Sequence, residues 1–369
     1  MNVKRLRRWA PGLGGVGLVL CAVATFARCV PPDPGNPCID DEAMCPPDAG
    51  AMLDLSMSVD AGSDAGTDAG RDAAASGDAG AGDDAGSGRD GGVACPSFAM
   101  GTVLGRTPAG ITEASGIVAG RRNAGTLWLH NDSGAGPRIY AVSMTGMMQA
   151  VYDLAGASAQ DWEDLAIGPG PKPGSSYLYI GDIGDNGTSR ANVQVYRVEE
   201  PDIRGASPTT PVMLSGVERF TLVYPDRAHN AETLLVDPRT SDLYIVVKSG
   251  DGVSPVFRAP APLSATAPIT LQQVAVLRFG MAPLPGGRTT TGGEISPSGD
   301  EIAIRTYDAA FLWRRPSGMT VADALMGMPC PLPLRIEIQG EALGFASDGS
   351  GYYTVSEGNN QPIHGYSRR

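Results

Sequence analysis

Four glutamates begin four similar segments of this 369-residue chain, and carboxylates that recur in this way could bind a cation or transfer protons. These residues are Glu113, Glu163, Glu232 and Glu341. Tyr244 follows Glu232 after 12 residues, and Tyr353 follows Glu341 at the same interval. An aromatic residue also follows the other two glutamates, at longer intervals. The shared spacing predicts that the glutamates take equivalent places in a repeated structure.

A fifth copy of the segment runs from Thr291 to Ala303 and keeps the 12-residue interval. It has a threonine in the register of the glutamate, and its nearest acid is Glu294. Each of the five copies contains an apolar stretch, a turn rich in Pro, Gly, Asp or Ser, and a second apolar stretch, which is the pattern of an antiparallel hairpin. Two more short strands usually follow each hairpin.

Four-stranded units that recur about every 47–70 residues indicate the blades of a propeller. We therefore predict an all-β fold, a five-bladed β-propeller over residues 95–369. Too few residues follow Glu341 for four strands, so residues 98–106 are expected to complete the last blade from the N-terminal side. A β-sandwich has a similar strand content but does not explain the repeat.

The innermost strands of a propeller line its central channel, and the start of each lies beside the end of the second strand. The repeated glutamates should therefore share a funnel mouth with the residues at the second-strand ends. We predict that these residues bind a ligand: His130, Asp132, Asp182, Asp185, Lys248, Arg305 and Glu357.

Carboxylates around one narrow axis repel each other by roughly 1–4 kcal/mol per close pair unless protons or a cation neutralise them. Calcium prefers oxygen ligands in a flexible cage, and an exported protein meets it at high concentration. We expect a calcium ion held by Glu113, Glu163, Glu232 and Glu341. Alternatively, each glutamate accepts hydrogen bonds from backbone amides of the next blade and only fixes the ring.

Other chemistries have weaker support in the sequence. A serine hydrolase would use His130 with Ser115 or Ser133, but no Gly-x-Ser-x-Gly motif surrounds either serine. The acids on both sides of Trp162 could act as an acid/base pair. The segment 181–187 is acidic and turn-forming, near in spacing to a calcium loop but not equal to it.

The first 94 residues differ in composition from the rest. Residues 1–29 combine a basic start with an apolar stretch, which predicts a signal peptide or a lipoprotein signal. A lipid would attach to a cysteine, but Arg28 before Cys29 departs from the required motif and Cys21 fits it no better. Residues 30–94 contain repeated Asp-Ala-Gly units with almost no aromatic or β-branched residues, so we expect a disordered linker. The protein is therefore predicted to be secreted or attached to the cell envelope. It would contact a membrane only through an N-terminal anchor, if that anchor is retained.

Export places the cysteines in an oxidising compartment. Apart from Cys21 and Cys29, four cysteines allow three pairings, of which we favour Cys38–Cys45 and Cys95–Cys330. The net charge is −12, and no basic patch suggests nucleic acid as a partner. The expected partner is an extracellular ligand or protein.

The motifs resemble those of a group of secreted bacterial β-propeller proteins without assigned activity. The resemblance covers about residues 111–366, and its motifs are 114–117, 130–134, 161–166, 181–186 and 339–342. More distantly, the chain is similar to esterase-like phytases and calcium-activated nucleotidases, five-bladed propellers with calcium in the channel. That resemblance implies a cation near the glutamates. It also suggests an alternative function, a calcium-dependent phosphoesterase in which Lys248 and Arg305 bind phosphate while His130 or Glu163 transfers protons.

Overall fold

The computed structural model describes residues 94–132, 134, 136–280 and 287–369. The predicted signal segment, nearly all of the predicted linker, the Cys38–Cys45 pair and Ser133 lie outside the described residues. In chain order, the described elements are β1 (Thr102–Arg106), β2 (Ala114–Ala119), β3 (Thr126–Asn131), β4 (Arg138–Ser143), β5 (Met148–Leu154), β6 (Trp162–Pro169), β7 (Ser176–Asp182), β8 (Val193–Glu199), β9 (Val212–Leu214), β10 (Glu218–Val223), β11 (Ala231–Val236), β12 (Leu243–Val247), β13 (Val253–Ala259), β14 (Ile269–Thr270), β15 (Gln272–Arg278), β16 (Thr290–Ile295), β17 (Glu301–Thr306), β18 (Ala310–Arg314), α1 (Val321–Leu325), β19 (Cys330–Leu332), β20 (Gly340–Phe345), β21 (Gly351–Ser356) and β22 (Pro362–Ser367).

The strands form five sheets. The first strand of each predicted hairpin lies at the inner edge of its own sheet. The inner strands are β2, β6, β11, β16 and β20, and each packs against the next, with β20 returning to β2. This closed ring confirms the predicted five-bladed β-propeller. We number the blades 1 to 5 in the order of these inner strands.

The last blade is completed from the N-terminal side, as predicted. Strand β1 pairs antiparallel with β22, and Thr102 lies opposite Gly365. Phe98 adds an isolated bridge to Arg368. The two ends of the domain therefore share one sheet, which closes the ring without a chain end inside it.

Inner strands are buried along their whole length, whereas outer strands such as β15 alternate between exposed and buried residues. Apolar side chains form five clusters, one in each interface between neighbouring blades. Trp128 and Trp162, for example, lie in the interface between blades 1 and 2. The hydrophobic core is thus divided among the blade interfaces, and the axis is left to polar side chains.

A disulfide joins Cys95 to Cys330, with a Cα–Cα distance of 5.6 Å, which confirms this predicted pairing. It ties the start of the domain to β19 of blade 4. Two short strands were not predicted: β9 pairs in parallel with β5, and β14 pairs in parallel with β10. They cover the outer edges of blades 1 and 2, which would otherwise expose unpaired backbone groups. No helix in the described ranges is long and apolar enough to span a membrane.

Candidate functional site

Each inner strand has a bulge one residue after its start, and this bulge sets where the repeated side chains lie. The irregularity falls between Trp162 and Asp164 in blade 2, and at the same step of the other four inner strands. The five bulged residues are Ser115, Glu163, Glu232, Thr291 and Glu341. Three of the four repeated glutamates are therefore structurally equivalent.

The predicted equivalence of Glu113 is wrong, because Ser115 takes that place in blade 1. Glu113 precedes β2 and is exposed, and its position corresponds to Asp161 in blade 2. The strand register shows the offset, because the partner of Trp128 lies five residues after Glu113, whereas the partner of Tyr179 lies three residues after Glu163. Trp128 lies opposite Val118, three residues after Ser115, just as Tyr244 lies opposite Leu235, three residues after Glu232.

Hydroxyl residues at the bulge bond to the next blade, whereas the glutamates do not take that role. Ser115 Oγ donates to the carbonyl of Glu163, and Thr291 Oγ1 donates to the carbonyl of Gly340 at 2.8 Å. Glu163, Glu232 and Glu341 have only 4%, 5% and 4% of their surface exposed. They are nevertheless close enough to influence each other's ionisation, so they lie around one end of the channel.

The residue directly after the second strand of each blade adds a second set of side chains at this end. These residues are Asp132, Ile183, Lys248, Tyr307 and Glu357. We call this end of the channel the acidic mouth, and its charged residues are Asp132, Asp161, Glu163, Glu232, Lys248, Glu341 and Glu357. The exposed Glu113 lies near Glu357 and adds to the rise in its pKa. The structure thus brings together Asp132, Lys248 and Glu357 with three of the predicted metal ligands.

One group in the acidic mouth has the spacing of a cation site. Asp132, Asp161 and Glu163 each offer a carboxylate oxygen, and these oxygens lie within 4.8 Å of one another. Gly184 lies against this group. A Cβ at position 184 would come within 2.1 Å of Glu163 Oε1 and 2.5 Å of Asp161 Oδ2. A residue without a side chain is therefore needed where the two carboxylates meet the loop after β7.

Lys248 supplies a positive charge within the acidic mouth. Its ammonium group donates hydrogen bonds to Glu232 Oε1 and, at 2.9 Å, to the Tyr307 hydroxyl. Tyr307 in turn bonds to Glu341. The second oxygen of Glu232, Oε2, is buried and has no hydrogen-bond partner within the described part of the chain.

Burial and mutual repulsion change the protonation of these acids. Burial, with the nearby charge of Glu341, raises the pKa of Glu232 to about 8. Burial and Glu232 raise the pKa of Glu163 well above its usual value, and burial and Glu341 raise the pKa of Glu357 to about 7. Burial lowers the pKa of Lys248, but Glu232 and Glu341 outweigh it and raise the pKa above the usual value. One ammonium group cannot neutralise this many carboxylates, so some hold protons at neutral pH unless a cation replaces them.

Two predicted ligand-binding residues, His130 and Arg305, lie away from the mouth. Each sits one residue deeper in its strand than the end, opposite Gly116 and Gly292 respectively, and neither has exposed surface. His130 Nδ1 lies 2.9 Å from the Asn131 carbonyl, and burial lowers the pKa of His130 to about 4. Arg305 Nη1 donates to Glu337 at 2.6 Å. The expectation that both are open to a ligand at the mouth is wrong, because each lies two residues before the mouth residue of its strand and is fully covered there.

Asp182 and Asp185 also have structural partners. Arg190 Nη1 lies 2.9 Å from Asp182 Oδ1, and Asp182 Oδ1 accepts from the amide of Asp161 at 3.2 Å. Asp185 Oδ2 accepts from the backbone amide of Arg190 at 2.8 Å. Both aspartates hold the loop after β7 in place behind Asp161.

The alternative role for the repeated glutamates is performed by other acids. Asp164 Oδ2 accepts from the backbone amide of Leu234 in blade 3 at 2.9 Å, and Glu294 Oε2 accepts from the amide of Phe345 in blade 5. Both acids point inward from the strands, below the bulge. The carboxylates at the bulge are therefore not needed for blade-to-blade bonding.

Sequence reasoning missed Tyr307 as a mouth residue. The available signal was its position directly after β17, which matches Lys248 after β12. The sequence predicted for Asp161 only membership of an acid/base pair with the acid on the other side of Trp162. Its closeness to Asp132 depends on the packing of blade 1 against blade 2, which sequence spacing does not reveal.

The closed ring and this entrance define a five-bladed β-propeller with a carboxylate-lined channel end. No family model matches the chain, and no curated protein matches it. Among solved structures, the chain is similar to the β-propeller domain of Myceliophteria thermophila Cps50 (Swd1), with 11% sequence identity and a TM-score of 0.37. The match covers 72% of this chain and 99% of that domain.

Proposed function

We propose that the protein is an exported, tethered β-propeller that binds an extracellular ligand or protein at its acidic mouth, where Asp132, Asp161 and Glu163 hold a calcium ion. The observation that carries the proposal is the closeness of these three carboxylates. Ca–O distances of about 2.3–2.6 Å place oxygens on opposite sides of one ion about 5 Å apart, and the three oxygens lie within 4.8 Å.

The charge balance of the mouth favours an ion at this side. Lys248 is hydrogen-bonded to Glu232 and already serves as a cation for that glutamate. Glu163 is repelled by Glu232, Asp132 and Asp161, and Lys248 offsets only part of that repulsion, because the pKa of Glu163 stays well above its usual value. A bound cation would relieve the rest. The donor set consists of oxygens alone, which suits calcium better than zinc or copper.

A calcium ion held by three side chains has further coordination positions, since calcium takes about 6–8 oxygen ligands. Oxygen atoms of a ligand could occupy the open positions on the solvent side. Glu357 and Tyr307 would then contact the ligand around the ion. The ion would attract the oxygen atoms of the ligand, and these side chains would orient the ligand.

Binding is favoured over phosphate-ester hydrolysis by the contacts of the residues that hydrolysis would require. Arg305 is buried against Glu337, and Lys248 is hydrogen-bonded to Glu232 and Tyr307. His130 has no exposed surface. None of the three is positioned to receive a phosphate group at the mouth. We therefore do not propose phosphoesterase activity.

The export part of the proposal rests on the N-terminal sequence and is supported by the Cys95–Cys330 disulfide, since stable disulfides are typical of exported proteins. Cell fractionation of the full chain, followed by mass measurement of the exported form, tests it. The expected result is an envelope or extracellular protein that lacks the signal segment and has no free thiol at Cys95. A protein that stays in the cytoplasm with reduced Cys95 and Cys330 would contradict export.

Thermal and calorimetric titration of the full chain tests the calcium site. Calcium at 100 times its dissociation constant should stabilise the fold by about 2.7 kcal/mol, and a chelator should reverse the effect. Glu163→Gln should abolish the response. Asp153→Asn, which removes a carboxylate bound to Arg138 on the outer part of blade 1, should leave it intact. An unchanged melt with calcium, or an equal response in Glu163→Gln, would refute the site.

A parallel assay with a model phosphate ester separates binding from hydrolysis. The wild-type chain should bind calcium but show no calcium-dependent turnover above that of Glu163→Gln. Turnover that requires both calcium and Glu163 would replace the binding proposal with the phosphoesterase.

A further inference from the structure

The opposite end of the channel carries a second cavity with a different charge. The inner strands leave the ring there, and a cavity of 670 Å³ opens between the turns that follow them. Arg121 follows β2, Pro169 ends β6, and Pro238 and Pro297 follow β11 and β16. Four of the five blades therefore contribute to one cavity, whose volume is in the range of small-molecule sites.

Three cationic side chains line this cavity. We call this end the basic mouth, defined by Arg121, Arg122 and Lys172. Arg122 lies 3.4 Å from Asp202 and is 46% exposed, and Lys172 lies 3.1 Å from Glu199 and is 66% exposed. Exposed pairs of this kind are weak and exchange readily with other anions.

Arg121 is the best-placed cation, because it reaches toward the channel axis. Its side chain is 22% exposed, and its Nη2 donates to the Ile167 carbonyl at 3.0 Å. The carboxylate nearest to it is Glu294, at 4.0 Å, which is too long for a hydrogen bond. Most of the guanidinium donors are thus left for another acceptor.

The backbone around Arg121 is held by a buried acid. Glu200 accepts hydrogen bonds from the backbone amides of Arg121 and Arg122 at 3.1 Å and 2.8 Å. It also accepts from the indole of Trp128 and the hydroxyl of Ser176. Because Glu200 binds these uncharged donors, it fixes the turn without using the guanidinium group of either arginine.

The protonation of Glu294 is consistent with a free charge on Arg121. Burial raises the pKa of Glu294 to about 8, although Arg121 and the amide of Phe345 oppose the shift. At pH 7 Glu294 is therefore largely neutral and does not cancel the charge of Arg121. The other acid that faces Glu294 is Asp164, whose pKa is also raised by its complete burial.

We infer that the basic mouth binds the oxyanion group of a small molecule, a phosphate or a carboxylate, through the guanidinium group of Arg121 with Arg122 and Lys172 around it. The planar fork of arginine matches the oxygens of both groups. The site lies at the other end of the channel from the acidic mouth and does not depend on calcium. The protein would thus have two ligand sites of opposite charge preference.

Calorimetric titration of the full chain in the presence of a chelator tests this site separately from the calcium site. Inorganic phosphate and citrate serve as probes of the two oxyanion sources, at constant ionic strength with chloride as the background anion. At least one probe should bind saturably with a stoichiometry of one. Arg121→Met should weaken binding roughly tenfold to a hundredfold, the loss expected for hydrogen bonds to a charged group. The affinity of Arg121→Lys for the probe should lie between those of the wild type and Arg121→Met.

Arg219→Met is the matched control, since Arg219 is an exposed arginine on the outer strand β10. Its affinity for the probe should equal that of the wild type. If Arg121→Met does not fold, Arg122→Met and Lys172→Met take its place, and each should weaken binding. Absence of saturable binding of both probes, or equal binding by all of these variants, would overturn the inference whatever the outcome at the acidic mouth.

Discussion

The stability of the calcium-free protein should fall as the pH rises from 6.5 to 8, and calcium should reduce this loss. Glu232 has a pKa of about 8 in the folded chain and an ordinary value of 4.5, so within this range the folded state holds a proton that the unfolded state has released. A group of this kind stabilises the folded state at low pH, and the contribution is lost as the pH rises toward the folded pKa. His130, whose pKa falls from 6.5 to about 4 on folding, contributes with the opposite sign, but only near the lower end of this range.

The size of the effect follows from proton linkage. One proton held only by the folded state changes the free energy of unfolding by about 1.4 kcal/mol per pH unit, or about 2 kcal/mol from pH 6.5 to 8. Glu294, with a pKa of about 8, should contribute a similar amount. Calcium between Asp132, Asp161 and Glu163 removes much of the negative charge near Glu232 and should lower its pKa. Calcium should not change the contribution of Glu294 to the pH dependence.

Urea denaturation of the full chain at several pH values, with a chelator and with calcium, measures the contributions of Glu232 and Glu294 to the pH dependence of stability. Glu232→Gln should reduce the pH slope mainly in the chelator, whereas Glu294→Gln should reduce it by the same amount in both conditions. A slope that calcium leaves unchanged, or one that Glu232→Gln leaves unchanged, would show that the acidic mouth is not held protonated in the way described.

Three further predictions concern the mouths and the disulfide. Gly184→Ala should weaken calcium binding at least tenfold in a calorimetric titration, because its Cβ would meet Glu163 and Asp161, whereas Gly187→Ala should not, since its nearest contact would be Ser189 Oγ at 3.5 Å. Cys330→Ser should lower the free energy of unfolding in urea by about 2–5 kcal/mol, and a reducing agent should then have no further effect. Oxyanion affinity at the basic mouth should fall as the pH rises through 8, because ionised Glu294 would then pair with Arg121 in competition with the ligand. Glu294→Gln should remove this pH dependence, and a dependence that persists in that variant would contradict the assignment.

The architecture could be predicted from the sequence because each blade repeats the same order of strand, turn and aromatic strand. The shortage of residues after Glu341 was enough to predict closure by residues 98–106, and the position of Cys95 before that segment suggested its pairing with Cys330. The parallel strands β9 and β14 could not be predicted. They are only 3 and 2 residues long and lie in connections whose course depends on the neighbouring blade.

The site was predicted less completely, because the sequence pattern does not show which side chains near a strand end are covered by neighbouring residues. Lys248 and Glu357 directly follow their strands and reach the mouth, whereas Arg305 and His130 lie two residues before the corresponding position and are buried. The basic mouth was not predicted at all. Its residues come from turns of unequal length and from different blades, so no repeat in the sequence connects Arg121 with Lys172.

The unequal residues at the five bulge positions explain why a cation would lie to one side of the axis. Serine in blade 1 and threonine in blade 4 use their hydroxyl groups to bond to the following blade, which leaves three glutamates. Lys248 binds Glu232 and lies close enough to raise its own pKa through Glu341, so these two glutamates already share a cation. Glu163 is the remaining glutamate, and Asp132 and Asp161 from the adjoining blade ends lie beside it. A fivefold cage on the axis would require five equal ligands, whereas this arrangement places three carboxylates close together between blades 1 and 2.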